Sequence, residues 1–253
     1  IRHFILILVG IASCDTNQQI VALSTINPTV LKENGAELFQ YWEFNNSSML
    51  WEDNRIDPIN LKSYKDSLNS LLGFDTIHSL IQKIAEQDSL YKSIKTRNGD
   101  SINAQLIHSK VLGKIRPINY LESQLLDYQL NRFPLLSHPT EFHGFILLND
   151  SLNTVRVYFA ASDQPWPPKP HVILSAVIKD LKNGWTFKYH LHNHYEPRLN
   201  NYLGILAPSI TDAQYYSFLS EEYNLENAII TNGFNSVEIQ EVEFKKLKTP
   251  ECN

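Results

Sequence analysis

An α+β or three-layer α/β/α architecture, a mixed sheet flanked by helices, is what this 253-residue chain predicts. Three observations carry that expectation. The C-terminal half reads as strand, hairpin and strand, then a helix, then closing strands. Residues 30–133 read as mainly helical. The length, with 43% hydrophobic residues, suffices for one large domain or two small ones with a sizeable core.

The elements follow in order. Arg2 and His3 precede an apolar run from Phe4 to Ala12, then Ser13 and Cys14. A bilayer-spanning helix needs roughly 20 apolar residues, so this run is too short to span. It has the layout of a secretory signal peptide over residues 1–13, followed by a polar tether over 14–29. Helix is expected to dominate residues 30–97, with a loop at 48–60 around Pro58. Ile77, Leu80, Ile81 and Ile84 recur at helical spacing within 74–94, with Asp75 as a cap. Asn98-Gly99-Asp100 reads as a turn. Ile118, Leu121, Leu125 and Tyr128 line one side of a second helix over 118–133, which Pro134 stops.

From residue 134 to 249 the character changes, and these residues are expected to form the domain that carries the chemistry. Residues 142–150 and 154–160 read as a strand pair joined at Asp150-Ser151. Four prolines between Gln164 and Pro170 demand an irregular loop. The alternation of Val172, Leu174, Ala176 and Ile178 fits a half-buried strand, and another strand follows after Gly184. Ser209 opens a helix, and residues 228–233 and 236–244 close the chain as strands.

Composition excludes several functions. With 22 basic and 27 acidic side chains and a formal charge of -5, no polybasic face for nucleic acid is expected. Nine glycines and 12 prolines rule out collagen-like or low-complexity chains. Two cysteines, Cys14 and Cys252, make no disulfide scaffold.

The densest chemical signal is His190, His192 and His194, three of the nine histidines in the chain. Alternate positions on an extended strand point the same way, so neighbouring pairs of these rings can approach one cation. Spacing alone leaves His190/His192 and His192/His194 both open. Zinc accepts neutral imidazole nitrogens and a carboxylate oxygen, and a catalytic site leaves its fourth position to water. Ser209-Ile210-Thr211-Asp212 is one carboxylate source. It also reads as a capping box, and a residue of the first helical turn can do both. Glu141, at the start of the first C-terminal strand, is a candidate general base or simply a strand flank. His143 lies one strand position further on the same face. Tyr215 or Tyr216 should enter the core, and Trp166 either pins its loop or lines a substrate groove. His138 and His171, which flank prolines, are expected to face solvent, and Glu196 and Arg198 are substrate-contact candidates by position.

Two resemblances follow from these residues. Ile11-Ala12-Ser13-Cys14 resembles the lipobox of bacterial lipoproteins, which implies lipidation at Cys14 and an exported protein anchored at a periplasmic or outer-membrane surface. Glu141 with Gly144, His192-Asn193-His194 and Ser209-Ile210-Thr211-Asp212 together resemble the MPN/JAMM (JAB-like) zinc metalloprotease family, whose fold is cytidine-deaminase-like. The 51 residues from Glu141 to His192 match the family spacing. The family pattern implies zinc bound by His192, His194 and Asp212, water activated by Glu141, and an oxyanion stabilised by Ser209. It implies hydrolysis of a peptide, isopeptide or other amide bond, here of a substrate at the cell envelope, cell-wall-derived peptides among them. Three departures stand out: Tyr195 and Glu196 intervene before Pro197, the loop from His194 to Asp212 is longer than in the family, and Asn193 replaces Ser or Thr. The alternative is a non-catalytic envelope binding or scaffold lipoprotein of the same fold. Imidazole ligands with a reference pKa of about 6.5 predict metal affinity that falls through roughly pH 6 to 5.

Overall fold

The computed structural model describes residues 23–72, 98–195 and 204–249. The expected signal peptide, Cys14, the helix expected at 74–94, Glu196, Arg198 and Cys252 lie outside them. One eight-stranded mixed sheet runs through the described residues. Its strands are β1 (Thr29–Asn34), β2 (Glu37–Asn45), β3 (Lys114–Pro117), β4 (Phe142–Asn149), β5 (Thr154–Ser162), β6 (Thr186–Asn193), β7 (Asn227–Thr231) and β8 (Asn235–Gln240). Their order is β1-β2-β5-β4-β6-β7-β8-β3, and only β6 and β7 are parallel.

Helices cover both faces. α1 (Ile59–Leu72) and α3 (Tyr120–Arg132) pack Leu61, Leu68, Leu121 and Leu125 against Trp42, Phe142, Ile146 and Phe159. On the other face lie α2 (Asn98–His108), α4 (His171–Leu181), α5 (Ile210–Tyr223) and the single turn α6 (Glu241–Phe244). Ile107, Val177, Tyr216 and Leu219 meet Phe39, Phe145, Phe187 and Ile230 there. Side chains alternate along β4, so Phe142 and Ile146 serve one core, while Phe145 and Leu147 serve the other.

Three local expectations are corrected. The start of the region expected to be helical is a hairpin of β1 and β2, with Asn34 paired to Glu37 across a two-residue turn. Asn34-Gly35 is a strong hairpin signal, and Gly35 takes a φ of +66° that a side chain would resist. Residues 171–181, expected as a strand, are helix: Ile173, Val177 and Asp180 are its buried residues, at spacings of four and three. Asn98-Gly99-Asp100 opens α2 rather than forming a free turn, because Gly99 packs against Ile210 at the start of α5. By contrast, the helix expected at 118–133 forms over Tyr120–Arg132, with an Asn119/Glu122 capping box.

Glu122 ties this helix to the far edge of the sheet. It is 1% exposed, accepts two bonds from Arg116 at 2.6 and 3.0 Å, and accepts Ser236 Oγ at 2.8 Å. Removing one partner of a buried ion pair leaves the other charge desolvated. Glu122→Ala should therefore lower stability by about 3 kcal/mol, read as a shifted urea midpoint at unchanged slope.

Candidate metal centre

Strand register turns a long sequence separation into contact. His143 of β4 lies directly opposite His192 of β6 in an antiparallel pairing. Past that pair each strand continues by one residue, β4 to Phe142 and β6 to Asn193. Phe142 and Asn193 are indeed joined, since the Asn193 side chain accepts the Phe142 amide at 2.9 Å and donates to the Thr140 carbonyl at 3.0 Å. This buried amide holds the backbone on both sides of Glu141. The Glu141 carboxylate is close enough to raise the proton affinity of His194 by its charge.

β6 then leads, through the connection to α5, toward its parallel neighbour β7. The N-terminus of α5 consequently meets the carboxyl end of β6, where helix N-termini favour negative charge. His192, His194 and Asp212 come together there, each offering a ligand atom within 4.8 Å of the others. His192 Nε2 lies 2.9 Å from His194 Nε2 and 3.7 Å from Asp212 Oδ1; His194 Nε2 lies 3.4 Å from Asp212 Oδ2. Tetrahedral zinc with bonds of about 2.0–2.1 Å sets its ligand atoms about 3.3 Å apart. The three separations bracket that value, and two imidazoles with one carboxylate form a donor set that zinc accepts. The residues fit the ion.

The outer partners orient the rings. His194 Nδ1 donates to the Ile205 carbonyl at 2.7 Å, which leaves Nε2 as the ligand nitrogen. His192 Nδ1 lies 3.4 Å from the Tyr216 hydroxyl, a longer contact serving the same end. Gly204 stands against the His194 backbone so closely that a Cβ there would fall 2.0 Å from the His194 carbonyl oxygen. Ile205 and Gly204, absent from the sequence reading, thus shape the ring position; no spacing pattern announces them.

The capping-box reading of Ser209 and Asp212 holds, and Asp212 still offers an oxygen to the histidine cluster. Ser209 Oγ accepts the Asp212 amide at 3.1 Å, and Asp212 Oδ2 accepts the Ser209 amide at 2.9 Å, completing a capping box. The Ser209 hydroxyl also donates to Asp212 Oδ2 at 2.7 Å. Asp100 of α2 adds a cap of its own, accepting the Ile210 amide at 2.8 Å.

The metal-free site stores a proton. Burial disfavours the charged form of His194, but the hydrogen bond and charge of Asp212, with Glu141 and the Ile205 carbonyl, outweigh it and raise the ring to about 9. Burial likewise opposes charge on Asp212, yet both histidines hold its carboxyl far below the usual range. His192 is pushed down to about 3 by burial, only partly offset by Asp212. Zinc needs the neutral His194 ring, so it must displace a proton at every pH below about 9. Zinc affinity should rise about tenfold per pH unit up to that point and then level off, with about one proton released per ion at neutral pH. Competition with a chromophoric chelator across this range checks it. The window lies above the pH 6 to 5 expected from a free imidazole, because a carboxylate already partners the ring.

His190 stands apart from the ligand set. It is 1% exposed, and its Nε2 lies 2.9 Å from His143 Nδ1. Tyr216 is the tyrosine in the core, while the Tyr215 ring packs on both His143 and His190. Trp166 is 65% exposed, so its side chain does not pin its loop; its carbonyl does, accepting Ser162 Oγ at 3.1 Å. His138 and His171 are exposed as expected, and His138 Nε2 lies 2.7 Å from the Asp163 carbonyl. An open cleft of about 760 Å³ sits at the other end of these strands, among Lys188, Asn224, Asn227 and Gln240, and contains none of the site residues.

Compared with known proteins, the chain matches no family model, no curated protein and no solved structure. Its function must be read from the site.

Proposed function

We propose that this protein is a zinc-dependent hydrolase of peptide, isopeptide or related amide bonds, of the MPN/JAMM (JAB-like) type, acting at the bacterial cell envelope. The observation that carries the reading is a Glu141 carboxylate within electrostatic reach of His194, in a His192/His194/Asp212 triad. A triad alone describes a metal site; a carboxylate held beside it by a dedicated amide describes catalysis.

The roles follow from chemistry. His192, His194 and Asp212 would hold zinc, which supplies Lewis acidity to a water molecule and to the substrate carbonyl. Glu141 takes the proton of the attacking water and returns it to the departing amine. Asn193 keeps the Glu141 backbone fixed while this happens. Ser209 is assigned the oxyanion of the tetrahedral intermediate, which requires its hydroxyl to rotate away from Asp212 Oδ2. Lipidation at Cys14 after removal of residues 1–13 would hold the domain at a membrane surface on the tether that follows.

The test is zinc content and amide hydrolysis together. Wild type is expected to bind about one zinc, lost in His192→Ala, and to cleave at least one of a panel of cell-wall peptides and lysine-linked isopeptides, with a chelator abolishing cleavage. A wild type without zinc sinks the metal assignment. A zinc-loaded wild type inert on the whole panel turns the reading to a non-catalytic envelope binding lipoprotein. Intact mass of a membrane-extracted chain still carrying residues 4–12 would remove the anchor.

A further inference from the structure

The paired rings of His143 and His190 belong to neither the ligand set nor the proposed base. His143 and His192 face each other in register near the ends of β4 and β6, and Glu141 and His194 follow two residues further along their chains. His143 therefore stands beside the metal triad, its ring centroid 6.4 Å from that of His192, and it feels the Asp212 charge. It is half-buried, whereas His190 beneath it is 1% exposed.

One hydrogen bond joins the two rings, between His190 Nε2 and His143 Nδ1, and one of these nitrogens must donate. The other His190 nitrogen, Nδ1, is buried with no hydrogen-bond partner among the described residues. Were His143 Nδ1 the donor, neutral His190 would carry its own proton on that orphaned Nδ1, and an orphaned buried N–H is among the rarest features of folded proteins. The alternative leaves only an unused lone pair there. It makes His190 Nε2 the donor, and His143 then carries its proton on Nε2. The two nitrogens of an imidazole point in nearly opposite directions, so this N–H turns away from His190.

We infer that His143 presents a fixed Nε2–H donor to the ligand side of the metal triad, where it hydrogen-bonds a carbonyl or oxyanion oxygen of the bound substrate, and that His190 is the positioning residue that sets this tautomer. The substrate class rests on the hydrolase reading above; the tautomer and the donor do not. Any oxygen ligand of the metal, including a carboxylate or hydroxamate, meets the same N–H.

Two measurements test it. Nitrogen-15 NMR of the metal-free protein should show His143 and His190 both protonated on Nε2; a proton on His143 Nδ1 overturns the inference. Calorimetric titration of the zinc-loaded protein with acetohydroxamate should show binding about 10- to 100-fold weaker in His143→Ala at equal zinc content, the worth of one hydrogen bond to a charged ligand. His143→Gln, whose amide nitrogen reaches the same position, should recover most of that affinity, which separates a lost donor from a disturbed fold. Equal affinity in wild type and His143→Ala overturns the donor role and leaves the hydrolase reading standing. The expected tautomer and affinity contrast in a protein that cleaves no amide sinks the hydrolase reading alone.

Discussion

Glu141→Gln is expected to keep its zinc and lose about 10²- to 10⁴-fold in turnover, the usual worth of general acid–base catalysis. The substitution preserves size and hydrogen bonding and removes only the proton acceptor. Zinc retention follows from geometry: the ligand atoms belong to the end of β6, the residue just after it and α5, and Glu141 is not among them. Asn193→Ala is the companion. It leaves both ligand rings in place and frees the backbone at Thr140 and Phe142, so turnover should fall by about 10- to 100-fold at equal zinc. Ser209→Ala requires more care, because the same hydroxyl caps α5 and donates to Asp212. Its rate must be read beside a stability measurement, since the cap alone is worth about 1 kcal/mol. Undiminished, chelator-sensitive cleavage by Glu141→Gln would take Glu141 out of the mechanism.

His194→Ala should lower zinc affinity by well over about 100-fold, more than loss of an outer partner costs. It removes one ligand of three, and with it the ring whose stored proton tunes the site. Gly204→Ala should imitate it in part without touching a ligand. A methyl group 2.0 Å from the His194 carbonyl forces the chain to move, and the Ile205 carbonyl that orients the ring moves with it. About 10- to 100-fold weaker zinc binding is the expected outcome. His190→Ala is the control, since His190 bonds His143 and contributes no ligand atom. Elemental analysis after dialysis reads all three; equal zinc in His194→Ala and wild type would dissolve the triad.

Much of the site was legible because its parts obey local rules. His192 lies on β6 and His194 just past its end, and their alternation is visible in sequence. Asp212 sits three residues after a serine that begins a helix, and capping boxes are visible too. The choice between His190/His192 and His192/His194 was not local. It was decided by where the N-terminus of α5 falls, nearer the end of β6 than its middle, and by the Ile205 carbonyl, which only the returning loop supplies.

Elsewhere, local signals competed. The run from His171 to Leu181 carries both a period of two and a period near four, and a sheet face already filled by β2 and β5 needed a helix to cover it. Asn34-Gly35 announced a hairpin inside residues whose mixed apolar spacing resembled helix. Sequence alone settled that a mixed sheet with flanking helices would form and that two alternate histidines and a first-turn aspartate were ligand candidates, because each follows from the geometry of one element. Tertiary structure alone decided that the Glu141 charge reaches His194, that Asn193 bridges the backbone on either side of Glu141, that His190 bonds His143 and stays out of the His192/His194/Asp212 cluster, and that the partners of His194 raise its ring to about 9. Those outcomes depend on strand register and burial, which couple residues about 50 positions apart through spacings of about 5 Å that no local pattern encodes.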